Sequence, residues 1–319
     1  MHEYDIVIGV DVGGTKIEAA LIRFLNGQEL EVKKRVRRAT EREKGADHII
    51  KVIAELCQEV ASKNPEGLKA VVGIGICLPG IVDPISKIMT TGNTQMLVGV
   101  DVASKVQKIL NFEGHINVAN DANCFALAET LYGAGVAHAN KTNIPIKGLI
   151  GIGIILGTGV GGGLIFQGKM FEGANGSAIE IGHSILGQSD ETCYCNNNGH
   201  AEQFLSGTAI ENHFYKLTQN KFHSDQIFEF SHAHGPHHLI AKKCIDEFKS
   251  HLAQFIANLS NLYDPHFFVL GGGVSLQKEI YVGLEEQVRL KLFNKNANFK
   301  IYQHALGDSS GVIGAALLA

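Results

Sequence analysis

Twice in this chain an apolar run breaks into glycines beside a threonine and then resumes as a second apolar run. The first break is Asp11-Val-Gly-Gly-Thr-Lys16, between Tyr4–Val12 and Ile17–Ile22; the second is Leu156-Gly-Thr-Gly-Val-Gly-Gly-Gly163, inside Leu149–Phe166. A strand–turn–strand unit of this kind carries bare backbone amides at its bend, where no side chain keeps a phosphate away. In the first bend Gly13 and Gly14 supply amides, Thr15 a hydroxyl and Lys16 a positive charge, while Asp11 is suited to a hydrated Mg²⁺. It is not a Walker loop, which runs into a helix with Lys followed by Ser or Thr. The second bend offers Gly157, Thr158 and Gly159. Either bend alone reads equally well as a plain hairpin. A matched pair from two halves of one chain fits the phosphates of a single nucleotide better.

Between the two bends lies Val118-Ala-Asn-Asp-Ala-Asn-Cys-Phe-Ala-Leu-Ala-Glu129, a short apolar run that passes through Asn120 and Asp121 into a good helix former. A carboxylate at a strand end and helix start is held rigidly where the first-turn amides favour negative charge. Asn and Asp are also the preferred helix caps, so these twelve residues alone allow a capping role as readily as a chemical one. Beside two phosphate turns, Asp121 reads as a catalytic base.

The length of 319 residues with 45% hydrophobic content suits about two domains with buried cores. A formal charge of −4 leaves no broad basic surface for nucleic acid or anionic lipid, so the expected partner is a small molecule. Met1-His-Glu-Tyr-Asp5 is acidic and leads straight into an apolar run, unlike a secretory leader. Six scattered cysteines suit a reducing cytoplasm. Residues 148–166 carry no charge, yet their clustered glycines favour two strands and a turn over a membrane helix.

Residues 44–63 have the apolar spacing of an amphipathic helix, and Ala70–Cys77 reads as a strand ending in the turn Leu78–Pro84. Asn93 falls in the loop beyond it. Downstream, His183, Cys193, Cys195 and His200 place four soft or borderline ligands in one short stretch, which suits tetrahedral Zn²⁺ better than free thiols and solvated histidines. The histidine-rich segment His223–His238 fits no standard ligand spacing and is expected to be a surface turn between helices. Lys242–Leu262 has helical periodicity. His266–Leu270 reads as a buried strand running into Gly271, Gly272 and Gly273, where a flat ring such as adenine could lie on the backbone. Gly307–Ala319 reads as a capped apolar helix that returns to the first domain.

Together these segments resemble the ROK family of sugar kinases, a branch of the actin and hexokinase superfold, from residue 6 to 319. Asp11–Lys16 and Leu156–Gly163 are similar to its two phosphate motifs, Leu270-Gly-Gly-Gly273 to its adenosine motif, and Glu180-Ile-Gly-His183 to its sugar signature. Asn120-Asp121 matches the pair in which the acid is the base. The resemblance implies that Asn93, Asn120, Asp121, Glu180, His183 and Glu202 contact sugar hydroxyls. It departs at the metal motif, where Asn196 replaces a Gly and His200 stands in place of a third Cys; imidazole is an acceptable Zn²⁺ ligand, so a Cys₂His₂ site fits.

The implied fold is α/β: two actin-like, ribonuclease H-like domains with a ligand cleft between them. The expected division is residues 1–118 plus 306–319 against 119–305. The implied activity is transfer of phosphate from ATP, with Mg²⁺ and a structural Zn²⁺, to a hexose or N-acetylhexosamine. N-acetylglucosamine at O6 leads, since the chain lacks Trp and Met96 stands near Asn93, a flexible side chain that leaves room for an acetamido group. Fructokinase and glucokinase are the alternatives, and a sugar sensor without catalysis the rival outside enzymes. The DNA-binding repressors of this family carry a preceding winged helix, for which there is no room before the first phosphate strand. The family also implies a homodimer.

Overall fold

The computed structural model describes residues 4–25 and 29–319; Met1-His-Glu3, on which the expectation of no secretory leader partly rests, lies outside the described residues. The chain divides into two units, one of Met1–Gly133, Lys169–Ala178 and Leu306–Ala319, the other of Ala134–Gly168 and Ile179–Ala305.

The first unit is built on a five-stranded sheet. Its strands are β1 (Tyr4–Val12), β2 (Lys16–Leu25), β3 (Glu29–Ala39), β4 (Val71–Leu78) and β7 (His115–Asn120), in the order β3-β2-β1-β4-β7. β1 and β3 pair antiparallel with β2, whereas β4 pairs parallel with both β1 and β7. Between β4 and β7 come the small hairpin β5 (Gly80–Val82) and β6 (Met89–Gly92), then helix α2 (Val102–Leu110). The central strands are apolar on both faces because both are covered. Helix α1 (Ala46–Ala61) buries Ile49, Ile53, Leu56 and Val60, one stripe at helical spacing, and with α2 closes one face. On the other face lie α3 (Asp121–Tyr132) and α10 (Ser310–Ala316). A Cβ at Gly9 would strike the Val312 carbonyl and one at Gly75 the Ala315 carbonyl. These glycines let α10 lie almost on the sheet backbone. The short strand β10 (Lys169–Met170) adds Met170 to the cluster of Cys77, Ala119, Cys124 and Ala315.

The second unit repeats the plan of an antiparallel hairpin followed by parallel strands. Strands β8 (Ile150–Leu156), β9 (Val160–Phe166), β11 (Phe267–Gly271) and β12 (Lys300–Gln303) lie in the order β9-β8-β11-β12. β8–β9 is an antiparallel hairpin, and β11 pairs parallel with β8 and β12. Hairpin first, then parallel strands: β1, β2, β4 and β7 correspond to β8, β9, β11 and β12, so the two glycine bends occupy equivalent corners. The connections carry α4 (Ala134–Thr142), α5 (Glu202–Leu205), α6 (Gly207–Thr218), α7 (Ser224–His232), the long α8 (His238–Tyr263) and α9 (Leu284–Lys291).

One expectation fails here. His223–His238 is not a turn throughout, because Ser224–His232 forms α7 and only residues 233–237 bridge to α8. Ile227, Phe228 and Ser231 are buried along one side of α7, and the His223 N–H donates to Gln226 Oε1 at 3.0 Å, closing the first turn. The exposed positions of α7 are Asp225, Gln226, Glu229 and His232, the last paired with Glu279. Among the described residues no helix is long and apolar enough to cross a membrane.

Candidate active site

In the first unit the polypeptide runs off the end of β7 into α3, and the two polar residues at that junction divide the labour. Asn120 is the cap: its Oδ1 accepts from the Asn123 N–H at 3.0 Å, while its Nδ2 donates to the Gly80 carbonyl at 3.0 Å. Asp121 is therefore the first residue of the helix proper, half-exposed, with Oδ1 accepting from the Ala122 N–H at 2.8 Å. Helix α3 is buried nearly all round, and its far end is anchored by Glu129, which accepts from the Leu306 N–H and the Ser310 hydroxyl, each at 2.9 Å. A carboxylate on so firmly packed a helix is held in one place. Asn93 lies exposed just after β6.

The first glycine bend is closed by the Gly13 N–H donating to the Lys16 carbonyl at 2.9 Å. Gly14, Thr15 and Lys16 are exposed. Thr40, fully buried just beyond β3, grips the bend: its hydroxyl donates to the Gly13 carbonyl at 2.7 Å and its N–H to the Thr15 carbonyl at 2.9 Å. No motif marks this threonine, and only the β2–β3 register reveals it. Asp11 Oδ1 accepts from the Cys77 thiol at 3.1 Å, and burial raises its carboxyl above the usual range, partly opposed by that thiol. Nearby, Glu18 is buried between the Arg35 and Arg37 guanidiniums.

The second unit gathers the remaining candidates. Gly157 N–H donates to the Gly159 carbonyl at 3.0 Å, giving a bend like the first. Helix α6 starts against it: the Gly207 N–H donates to the Gly157 carbonyl at 2.7 Å and the Thr208 hydroxyl to the Thr158 carbonyl at 2.9 Å. Gly272, at φ 81°, comes so close that a Cβ there would lie 3.0 Å from the Gly157 nitrogen. The structure thus brings Gly271–Gly273 and Gly157–Gly159 together at the ends of adjacent strands. Glu180 is half-buried, and burial first, then the Glu202 carboxylate, raises its own carboxyl.

His183, Cys193, Cys195 and His200 converge, with their ligand atoms all within 4.8 Å of one another. The two Nδ1 atoms are 3.3 Å apart, Cys193 Sγ is 3.7 Å from His183 Nδ1, and Cys195 Sγ is 3.4 Å from His200 Nδ1. Ligands around a tetrahedral Zn²⁺ would stand about 3.3 Å apart for two nitrogens and about 3.6 Å for nitrogen and sulfur, from the usual bond lengths. The donor set and its spacing fit that ion. Burial lowers the His183 imidazole below its usual value, which favours the neutral, ligating form. Gln203 braces the loop by accepting from the His200 N–H at 3.0 Å and donating to the Glu191 carbonyl. The outward nitrogen of His183, Nε2, lies 2.8 Å from the hydroxyl of exposed Tyr194, a neighbour that the Cys-x-Cys spacing does not disclose.

Two hairpin-led α/β units, each with a glycine bend pinned from outside its own hairpin, define an actin-like protein. The chain belongs to the ROK family, whose model matches residues 7–319. It is 32% identical to an N-acetyl-D-glucosamine kinase of Photobacterium profundum, over 97% of this chain and 98% of that one. It is 30% identical to N-acetylgalactosamine kinase AgaK of a Shewanella species, over 97% and 95%. Among solved structures it is similar to a ROK family glucokinase from Streptomyces griseus in complex with glucose and AMPPNP, at a TM-score of 0.78 and 26% identity, covering 98% of this chain and 99% of that one.

Proposed function

We propose that this protein transfers the γ-phosphoryl group of MgATP to the O6 hydroxyl of an N-acetylhexosamine, N-acetylglucosamine foremost, with Asp121 as the general base. The observation that carries the reading is the place of Asp121, a half-exposed carboxylate at the first position of α3, directly after the capping Asn120. Relatives named for N-acetylhexosamines, aligned over nearly the whole chain, support the acceptor class.

Asp121 accepts the proton of the attacking hydroxyl as the bond to phosphorus forms, and the phosphate–ADP bond breaks on the opposite side. The amides of Gly13–Lys16 and Gly157–Gly159 take up charge on the phosphoryl oxygens, with Lys16 and the hydroxyls of Thr15 and Thr158 beside them. Gly271–Gly273 receive the adenosine. Asn93, Asn120, Glu180, His183 and Glu202 position the sugar, and half-buried Met96 leaves room for the acetamido group. Asp11 would hold a hydrated Mg²⁺, which supplies charge neutralisation on the phosphates when bound. His183, Cys193, Cys195 and His200 would hold Zn²⁺, which ties down the loop bearing His183 and Glu202.

ADP release measured across N-acetylglucosamine, N-acetylgalactosamine, N-acetylmannosamine, glucose, mannose and fructose tests the reading. N-acetylglucosamine is expected to give the highest kcat/KM. Asp121→Asn is expected to keep nucleotide binding and lose a factor of about 10²–10⁴ in kcat. ATP consumption with none of these sugars, or wild-type turnover in the Asn variant, refutes it.

A further inference from the structure

Glu202 is a candidate sugar ligand, yet the structure also gives it a partner on the nucleotide side. Its Oε2 accepts from the Val160 N–H at 2.9 Å. Val160 is the first residue of β9, where the second glycine bend rejoins the sheet. The same carboxyl group lies so close to Gly159 that a Cβ there would collide with it. Glycine at 159 is thus required by the approach of the carboxylate, apart from any need of the phosphate. Oε1 stands further from that position, at 3.9 Å.

The helix carrying Glu202 is also joined to the bend through the chain that follows it. Beyond α5, the Ser206 N–H donates to the Glu202 carbonyl at 3.3 Å, and the next amide, Gly207 N–H, holds the Gly157 carbonyl at 2.7 Å. Before α5 lies the loop of His183, Cys193, Cys195 and His200. A single carboxylate therefore stands between the loop assigned to the acceptor and the bend assigned to the phosphates, within one unit of the fold.

We infer that Glu202 is a latch with two duties, Oε1 for the acceptor sugar and Oε2 for the Val160 amide, so that it sets the phosphate-binding shape of Gly157–Gly159 even when no sugar is bound. Sugar and nucleotide then bind synergistically through it. A sugar that orders the carboxylate also orders the bend, and linkage requires the nucleotide to return the same factor to the sugar. This inference rests on the kinase reading of the site.

The test is the affinity for AMPPNP, with Mg²⁺ and with no sugar present, by calorimetry. Glu202→Ala is expected to weaken it by about tenfold, the lower end of what that hydrogen bond is worth. Glu202→Gln, whose amide oxygen can still accept from Val160, is expected to restore it to within about twofold of wild type. Glu180→Gln, a sugar-side change without a bond to the bend, is expected to leave it unaltered. A residue that only binds sugar would leave AMPPNP affinity unchanged in all three variants, and that result overturns the latch.

Hydrogen exchange on the wild-type protein needs no variant. N-acetylglucosamine alone is expected to slow exchange of the peptide spanning residues 157–161, and no slowing by a sugar that is a proven substrate overturns the proposal. Should wild type fail to bind AMPPNP at all, the kinase reading itself falls and takes the latch with it. That outcome is distinct from normal AMPPNP binding by Glu202→Ala, which removes the latch and leaves the kinase standing.

Discussion

Replacing Gly314 by Ala probes how tightly the candidate base is held. α10 crosses α3 at this glycine, and a Cβ there would drive into the backbone of Cys124, 2.8 Å from its Cα with its carbonyl closer still. Ordinary van der Waals separation begins at 3.4 Å, and the carbonyl oxygen, the nearest of these atoms, falls short of it by well over 1 Å, so the helices must part by more than that. Forcing one extra carbon into a packed interface costs about 1–3 kcal/mol. For a unit of this size each kcal/mol lowers Tm by about 2–4 °C, so a fall of roughly 2–12 °C is expected.

Cys124 lies one helical turn after Asp121, so the displacement reaches the carboxylate. Misplacement by 1 Å can cost about 10² in rate, so a shift of that size should lower kcat about 10²-fold, with KM for either substrate little changed. Scanning calorimetry and steady-state ADP release measure the two effects. Gly235→Ala is the control, since a Cβ there meets nothing within 4 Å. Wild-type Tm and kcat in Gly314→Ala would refute the argument that this crossing fixes the base.

Three further outcomes follow from the geometry. Cys193→Ser, or dialysis against a strong chelator, is expected to lower zinc content from one ion per chain and raise the sugar KM more than the nucleotide KM; metal analysis finding no zinc in wild type rejects the site. Thr40→Val removes the hydroxyl that holds the Gly13 carbonyl but keeps its own N–H, and should weaken nucleotide binding by about three- to tenfold, the worth of one hydrogen bond. Glu180 carries a carboxyl raised by burial and by Glu202. The folded state thus holds that proton more tightly than the unfolded chain, so the ionised group costs stability above its folded pKa, and the cost vanishes as pH falls toward the ordinary value. Glu180→Gln should melt higher than wild type at neutral pH, with the gap closing on acidification; a gap independent of pH contradicts this.

The features legible in sequence were those written locally. The glycine bends, the strand-to-helix step at Asn120 and Asp121, and the spacing of His183, Cys193, Cys195 and His200 all concern residues near one another along the chain. Asp121 itself needed the fold, because sequence allowed either polar residue at the step to be the cap, and only the bond from Asn123 to Asn120 decides between them. The outer grips on the bends were illegible. Thr40 and Glu202 reach Gly13 and Val160 through strand register and loop return, and neither type of residue is distinctive at its position. Helix α7 was hidden because it is short and its buried stripe is just Ile227, Phe228 and Ser231, in a segment flanked by histidines.

The docking of α10 on β1 and β4 has a consequence for biosynthesis. Arg35 and Ser309, hydrogen-bonded at 2.8 Å, are 274 positions apart. A ribosome releases the glycine-bearing strands early and the helix that covers them late, with the whole second unit emerging in between. The half of the molecule that is translated first is therefore the half that is finished last, and throughout elongation the part of its sheet face left for α10 is the surface a chaperone would meet.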